Sequence, residues 1–267
     1  MQRPPPPADT SVARRLNGER LVLFGWSRAI LMQLAHPLVA AGVAEHSTFR
    51  QGRFAAALRL HHTVRAMLAL TFGTEAGREQ ALDGIRAIHR RVNGHLSATV
   101  GRYPAGTRYS AEDPELVLWV HATLMDSIPL VYQQLVAPLT RAERDRYCEE
   151  AAPVAIALGA DPATIPRDQA AVTRYIETMV ASGAIVVGGD ARTLADAVMQ
   201  PPLQALTRPA AALNRLMTIG WLPVELRRQY GFGWTEDDAR RRDRAARWLR
   251  QARQVTPARL ALWRDAR

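Results

Sequence analysis

Residues 27–63 read SRAILMQLAHPLVAAGVAEHSTFRQGRFAAALRLHHT, and the fold follows from how this stretch is read. Its first third continues an apolar segment in which Leu21, Leu23, Phe24, Ile30, Leu31 and Leu34 leave almost no polar side. That pattern predicts a central buried helix, starting at Gly18 to Arg20 behind Asn17 as N-cap. Pro37 has no N–H to donate and pushes His36 toward extended backbone, so the helix ends or kinks there. Beyond Gly42 comes the polar cluster Glu45-His46-Ser47, after which helical spacing resumes from about Arg53 to Thr71. Four of the chain's seven histidines fall inside these residues. An unpaired ring in a core costs about 1 to 3 kcal/mol, so the rings need compensation, and a metal or a haem is one candidate.

The chain has 267 residues, 48% of them hydrophobic, long enough for one large domain with a ligand-sized core. Alanine, leucine and arginine dominate and strand-like alternation is scarce, which predicts an all-α, single-domain multi-helix bundle. The net charge of +10 comes entirely from arginine, because lysine is absent. Such a balance permits an acidic partner or contact with an anionic membrane surface. The single cysteine, Cys148, excludes an intramolecular disulfide and a multi-cysteine zinc site. A proline run opens residues 1–15 and reads as a disordered lead-in. The longest apolar run, Ala29 to Ala44, holds Gln33, His36 and Pro37 and falls short of the roughly 20 residues of a membrane span. These features together read as a cytoplasmic protein.

On the helix from Arg53 to Thr71, spacings of three and four bring Arg59, His62 and Thr63 within reach of one point, while His61 is turned toward the packing stripe. The next helix, Glu75 to Asn93, repeats Leu82, Ile85, His89 and Val92 at helical spacing, which places His89 on its apolar stripe. Residues 94–112 read as a long loop of the kind that forms functional lids. Asp113-Pro114 opens a helix carrying His121 and interrupted near Pro129. Thr140-x-x-Glu143 is a capping box for a helix ending at Leu158-Gly159. Further helices are predicted over about 168–182, 191–199, 208–220 and 223–229, with the last two beginning at Thr235 and at Thr256-Pro257.

Several chemistries are excluded on spacing. No glutamate is followed three residues later by histidine, as a carboxylate-bridged di-iron site requires. Nucleophile-elbow, P-loop and dinucleotide glycine motifs are missing. Cys148 lies in the polar run RAERDRYCEE, a poor setting for a nucleophile. The arginine-rich helix after residue 238 carries only Trp248 as an interleaved aromatic and reads as a solvated face, so no nucleic acid is expected. Haem asks least of the sequence: an apolar helical pocket, one axial imidazole and cations for its propionates. His89 offers the imidazole, with His36 and His121 as further rings in the core.

The run RAILMQLAHPLVAAGVAEHSTFR, followed by Arg59-x-x-x-Thr63, Ile88-His89, Trp119-Val120-His121-Ala122-Thr123-Leu124 and Leu222-Pro223-x-x-Leu226-Arg227, resembles the DUF2236 family, the MpaB and rubber-oxygenase catalytic domain, over about residues 18–235. The resemblance implies an all-helical haem b oxygenase that takes O₂ and cleaves or oxygenates an apolar, alkene- or isoprenoid-containing substrate. It implies that His89 is the proximal iron ligand and that Arg59 and Thr63 are the family's Arg-x-x-x-Thr pair. Where a characterised member has a lysine before that threonine, this chain has His62. Glu45 is the nearest counterpart of that member's catalytic glutamate. The expected site therefore has catalytic residues His62, Arg59, Thr63 and Glu45 facing haem on His89, with His36 and His121 in the surrounding pocket. A haem-binding sensor or carrier without turnover, and a cofactor-free helical scaffold, are the alternatives.

Overall fold

The computed structural model describes residues 11–46, 53–199 and 204–266, and only the backbone over 53–61 and 204–207. The proline-rich start, Ser47 and Pro201-Pro202 lie outside the described residues, as do the side chains of Arg59 and His61. What is described is one all-α domain with thirteen α-helices and two short strands. Its axis is a pair of helices, α2 (Leu23–Leu34) and α6 (Pro114–Leu135), packed along their lengths. They approach so closely that a Cβ on Gly25 would stand 2.9 Å from the Ser127 carbonyl oxygen. Trp26, Leu31 and Met32 from α2 and Trp119, Ala122, Met125 and Ile128 from α6 share one buried cluster.

The central helix starts later than its hydrophobicity predicts. Asn17 ends a separate helix, α1 (Val12–Asn17), which Ser11 caps by accepting the Arg14 N–H. A 3₁₀ turn over Arg20–Val22 then leads into α2. The break is tertiary in origin: the C-terminal tail crosses here, Trp263 N–H donating to the Gly18 carbonyl. A Cβ on Gly18 would meet the Ala266 Cβ at 2.9 Å.

At Pro37 the expected break occurs. Helix α2 stops at Leu34 and α3 (Pro37–His46) begins at the proline, in the N1 position that needs no donor. Helices α4 (Arg53–Phe72) and α5 (Glu75–His89) form an αα-hairpin, with Thr74 capping α5 by accepting the Gly77 N–H. The segment read as a structureless loop is a small hairpin instead. Strand β1 (Asn93–His95) pairs antiparallel with β2 (Arg108–Ser110), Gly94 opposite Tyr109. Leu96 and Tyr109 bury themselves against Leu38, Ala41 and Leu116, which pins the hairpin to α3 and α6.

Pro129 does not interrupt α6, which runs unbroken past it. A proline in a helix interior costs about 3 kcal/mol. Helix α6 recovers that by burying residues on almost every side, against α2, α7 (Arg141–Ala157), α8 (Gln169–Ala181) and α12 (Glu236–Val255). Cys148, expected at the surface, is fully buried on the inner stripe of α7 with Tyr147, Ala152 and Ala155. Burial pushes its thiol up to about 12, so it stays a neutral thiol. Helices α9 (Gly189–Met199), α10 (Gln204–Trp221), α11 (Val224–Gln229) and α13 (Ala258–Ala261) complete the shell, α9 lying across α2 and α3.

Candidate functional site

Helices α4 and α5 run out antiparallel from the turn at Phe72–Thr74. Counting from that turn at about 1.5 Å per residue, Arg59 and His89 stand at about the same height, roughly 22 Å away, with His62 about 5 Å nearer. The hairpin thus levels the three positions that the sequence singled out on two different helices. His62 and Thr63 present exposed side chains on α4. His89 is half-buried at the last turn of α5, where burial lowers its basicity and the nearby Glu112 carboxylate opposes the effect. Its imidazole is consequently neutral at physiological pH, the form that can offer a ring nitrogen to a metal.

The C-terminal end of α3 is tied to the β-hairpin beside this edge. The Tyr109 hydroxyl donates to a Glu45 carboxylate oxygen at 2.5 Å, and His46 Nε2 lies 2.9 Å from the Asn93 carbonyl. Burial and the Glu45 carboxylate both raise the Tyr109 phenol, so it remains a donor at any ordinary pH. The approach needs Gly94, since a Cβ there would fall 2.5 Å from the Tyr109 hydroxyl. Glu45 is therefore oriented by a partner fourteen residues beyond the end of β1, at the far strand of a hairpin. Tyr109, Asn93 and Glu112 escaped the sequence reading because they sit in a stretch of glycine and polar residues; the repeated aromatics of GRYPAGTRYS were the available signal.

His36 and His121 occupy other places. His36 caps α3: its Nδ1 accepts the Leu38 N–H at 3.3 Å, and its Nε2 meets the Tyr103 hydroxyl at 3.3 Å. Both ring nitrogens are thus engaged. Burial, helped by the Arg102 charge, brings its pKa down to about 4. His121 lies on the side of α6 that carries Val117 and Leu118, which pack against Ala152, Ala155 and Ile165. Its Nε2 is buried without a hydrogen-bond partner, and burial with the Arg167 charge holds its pKa at about 4. Among the described residues, no group of three or more His, Cys, Asp and Glu side chains is placed to hold a metal ion.

The two buried rings make stability depend on pH. In the unfolded chain each titrates near 6.5, so between pH 6.5 and 4 the unfolded state binds more protons than the folded one. Their contribution is complete above about pH 6.5 and is lost as the pH falls toward 4. Near pH 5.5 each ring should already cost roughly 1 kcal/mol, with His89 acting in the same direction. Urea midpoints compared at about pH 7.5 and 5.5 should show the drop, and His121→Met should remove a substantial part of it. An equal drop in that variant would show that His121 does not carry the acid sensitivity.

Fold and site together define an all-helical domain whose α4–α5 hairpin carries the half-buried imidazole of His89 and the exposed His62 and Thr63, with the Glu45 carboxylate held by the Tyr109 hydroxyl. The chain belongs to the family described as ER-bound oxygenase mpaB/B'/Rubber oxygenase, catalytic domain, which it matches over residues 13–251. That places it among oxygenases. Two relatives are similar to it, an uncharacterised protein of Mycobacterium tuberculosis and one of Mycobacterium bovis. Each is 28% identical over 234 residues, covering 86% of this chain and 88% of the relative. No solved structure matches the chain. No helix among the described residues is long and apolar enough to cross a membrane.

Proposed function

We propose that the protein is a haem b-dependent oxygenase that uses O₂ on an apolar, alkene- or isoprenoid-containing substrate. The observation that carries this reading is His89: an imidazole of lowered basicity at the end of α5, level with Arg59 and about 5 Å along the axis from His62 on the antiparallel helix. A haem fits this donor set because it brings four of its own nitrogens and asks the protein for one axial ligand. Bound there, haem would supply the oxygen chemistry that no amino-acid side chain performs.

The chain's own residues have the remaining tasks. His89 would hold the iron. Arg59 offers a guanidinium to a propionate or to the Glu45 carboxylate, and Thr63, one helical turn on, adds a hydroxyl to the same side. His62 adds an exposed imidazole, the side chain most often used in general acid–base chemistry. Glu45 is a second base, and the Tyr109 hydrogen bond fixes its orientation.

Purified protein should carry haem in a one-to-one ratio, measured as the pyridine haemochrome, and should take up O₂ when given an isoprenoid alkene. His62→Ala should retain the haem and lose the O₂ uptake, or turn a six-coordinate spectrum five-coordinate. His61→Ala should do neither. Haem without substrate-dependent uptake would make the protein a sensor or carrier; a colourless protein that haem does not alter would make it a scaffold.

A further inference from the structure

The C-terminal end of the molecule carries a surface that the oxygenase reading does not use. Helix α12 is capped at Thr235 and has Glu236, Asp237 and Asp238 in its first turn, where Arg240 pairs with Glu236 and Asp237. Further along, the acidic residues stop. From Arg244 to Arg264 there are six arginines and no carboxylate. Arg253 is engaged by Glu19, and Arg250 donates to the backbone carbonyls of Gln133 and Gln134. Arg244 and Arg247 stay exposed, with no ion pair to another described residue.

Large apolar side chains stand among these charges. Trp248 is 63% exposed, Val255 82% and Leu260 59%. Seven residues separate Trp248 from Val255, two turns of α12, so the two share a stripe about 10.5 Å long with Arg244 one turn before it. The opposite side of the helix is committed to the core through Ala246 and Leu249, packed with Val131, Leu135 and Met217. The outer stripe is therefore held rigidly outward. Scattered apolar residues on a surface are ordinary. An indole and an aliphatic side chain on one stripe, beside Arg244 and Arg247 with no ion pair to another described residue, are not scattered.

We propose that this face docks the protein on an anionic lipid bilayer, with Trp248, Val255 and Leu260 entering the headgroup boundary and Arg244 and Arg247 meeting lipid phosphates. The pairing suits both groups: indoles favour the membrane–water interface, and arginine forks match phosphate oxygens. A nucleic acid would meet the arginines but would leave Val255 and Leu260 without a partner, since stacking needs aromatic faces. The family match stops at residue 251, so Val255 and Leu260 lie beyond the matched residues. Docking is independent of haem, although it would bring an apolar substrate dissolved in the bilayer to the protein.

Full-length protein should co-sediment with vesicles of phosphatidylcholine and phosphatidylglycerol mixed two to one, and not with phosphatidylcholine alone. Trp248→Ser with Val255→Ser should lower that partitioning about tenfold, since both apolar anchors go. Arg244→Gln with Arg247→Gln should weaken it and flatten its dependence on salt. Trp248→Phe should still bind while losing the part of the tryptophan emission that brominated lipid quenches. All four substitutions face solvent, so unchanged melting temperatures check the fold. The proposal fails if neutral vesicles bind equally, if the apolar pair can be exchanged without effect, if an RNA duplex displaces the vesicles and needs only the arginines, or if the apolar pair instead changes the oligomeric state.

Discussion

Substituting alanine for His89 should give a protein that folds but purifies without haem. The ring sits at the last turn of α5, half-buried, and burial lowers its pKa below the usual 6.5. Its lone pair is therefore available through the neutral range rather than masked by a proton. The other core rings cannot easily replace it. His36 spends one nitrogen on the Leu38 N–H and the other on Tyr103, and His121 faces the α7 side of α6. A ligand present at 100 times its dissociation constant stabilises the folded state by about 2.7 kcal/mol. The variant should accordingly melt below the haem-loaded protein and at the temperature of the wild-type apoprotein, and free imidazole should restore part of the haem spectrum. A wild-type spectrum in the alanine variant would move the axial ligand to another residue. A variant melting well below the apoprotein would instead mean that His89 is a packing residue.

What could be read from the sequence was local chemistry. Asp113-Pro114, Thr140 with Glu143, Thr235 with Asp238, and Thr74 all cap the helices they announce, because a cap depends on residues within one turn. The break at His36-Pro37 was legible for the same reason. Where distant residues decide, the reading failed. Asn17 suggests an N-cap, yet the tail returning to Gly18 makes it the end of α1. Pro129 suggests an interruption, yet packing on all sides of α6 overrides it. Strands of three residues are too short to show alternation, so the hairpin that positions Tyr109 looked like a loop. The site divides likewise. The placement of His89 on α5 follows from helical spacing, whereas its neighbour Glu112 and the Tyr109–Glu45 bond depend on how the hairpin folds back.

Truncating Asp126 should be among the most damaging single changes in the chain. Arg28 lies in the middle of the largely apolar helix α2, and its side chain is 6% exposed. One guanidinium nitrogen, Nη1, lies 2.7 Å from Asp126 Oδ2 and donates to Ser127 Oγ at 2.6 Å, while Nε donates to the Trp221 carbonyl at 2.7 Å. The charge thus joins α2 to α6 and to the end of α10. Forming such a pair need not be favourable overall, because desolvation opposes the attraction. Breaking it is different: Asp126→Ala leaves a guanidinium with hydrogen bonds but no counter-charge in a closed interface, a loss of about 3 to 5 kcal/mol. For a domain of ordinary stability, about 5 to 15 kcal/mol, that is a large share. Arg28→Met with Asp126→Leu should be far milder than Asp126→Ala, since no charge is stranded. A double-mutant cycle in urea measures the difference, and additive losses would show that the two side chains act separately.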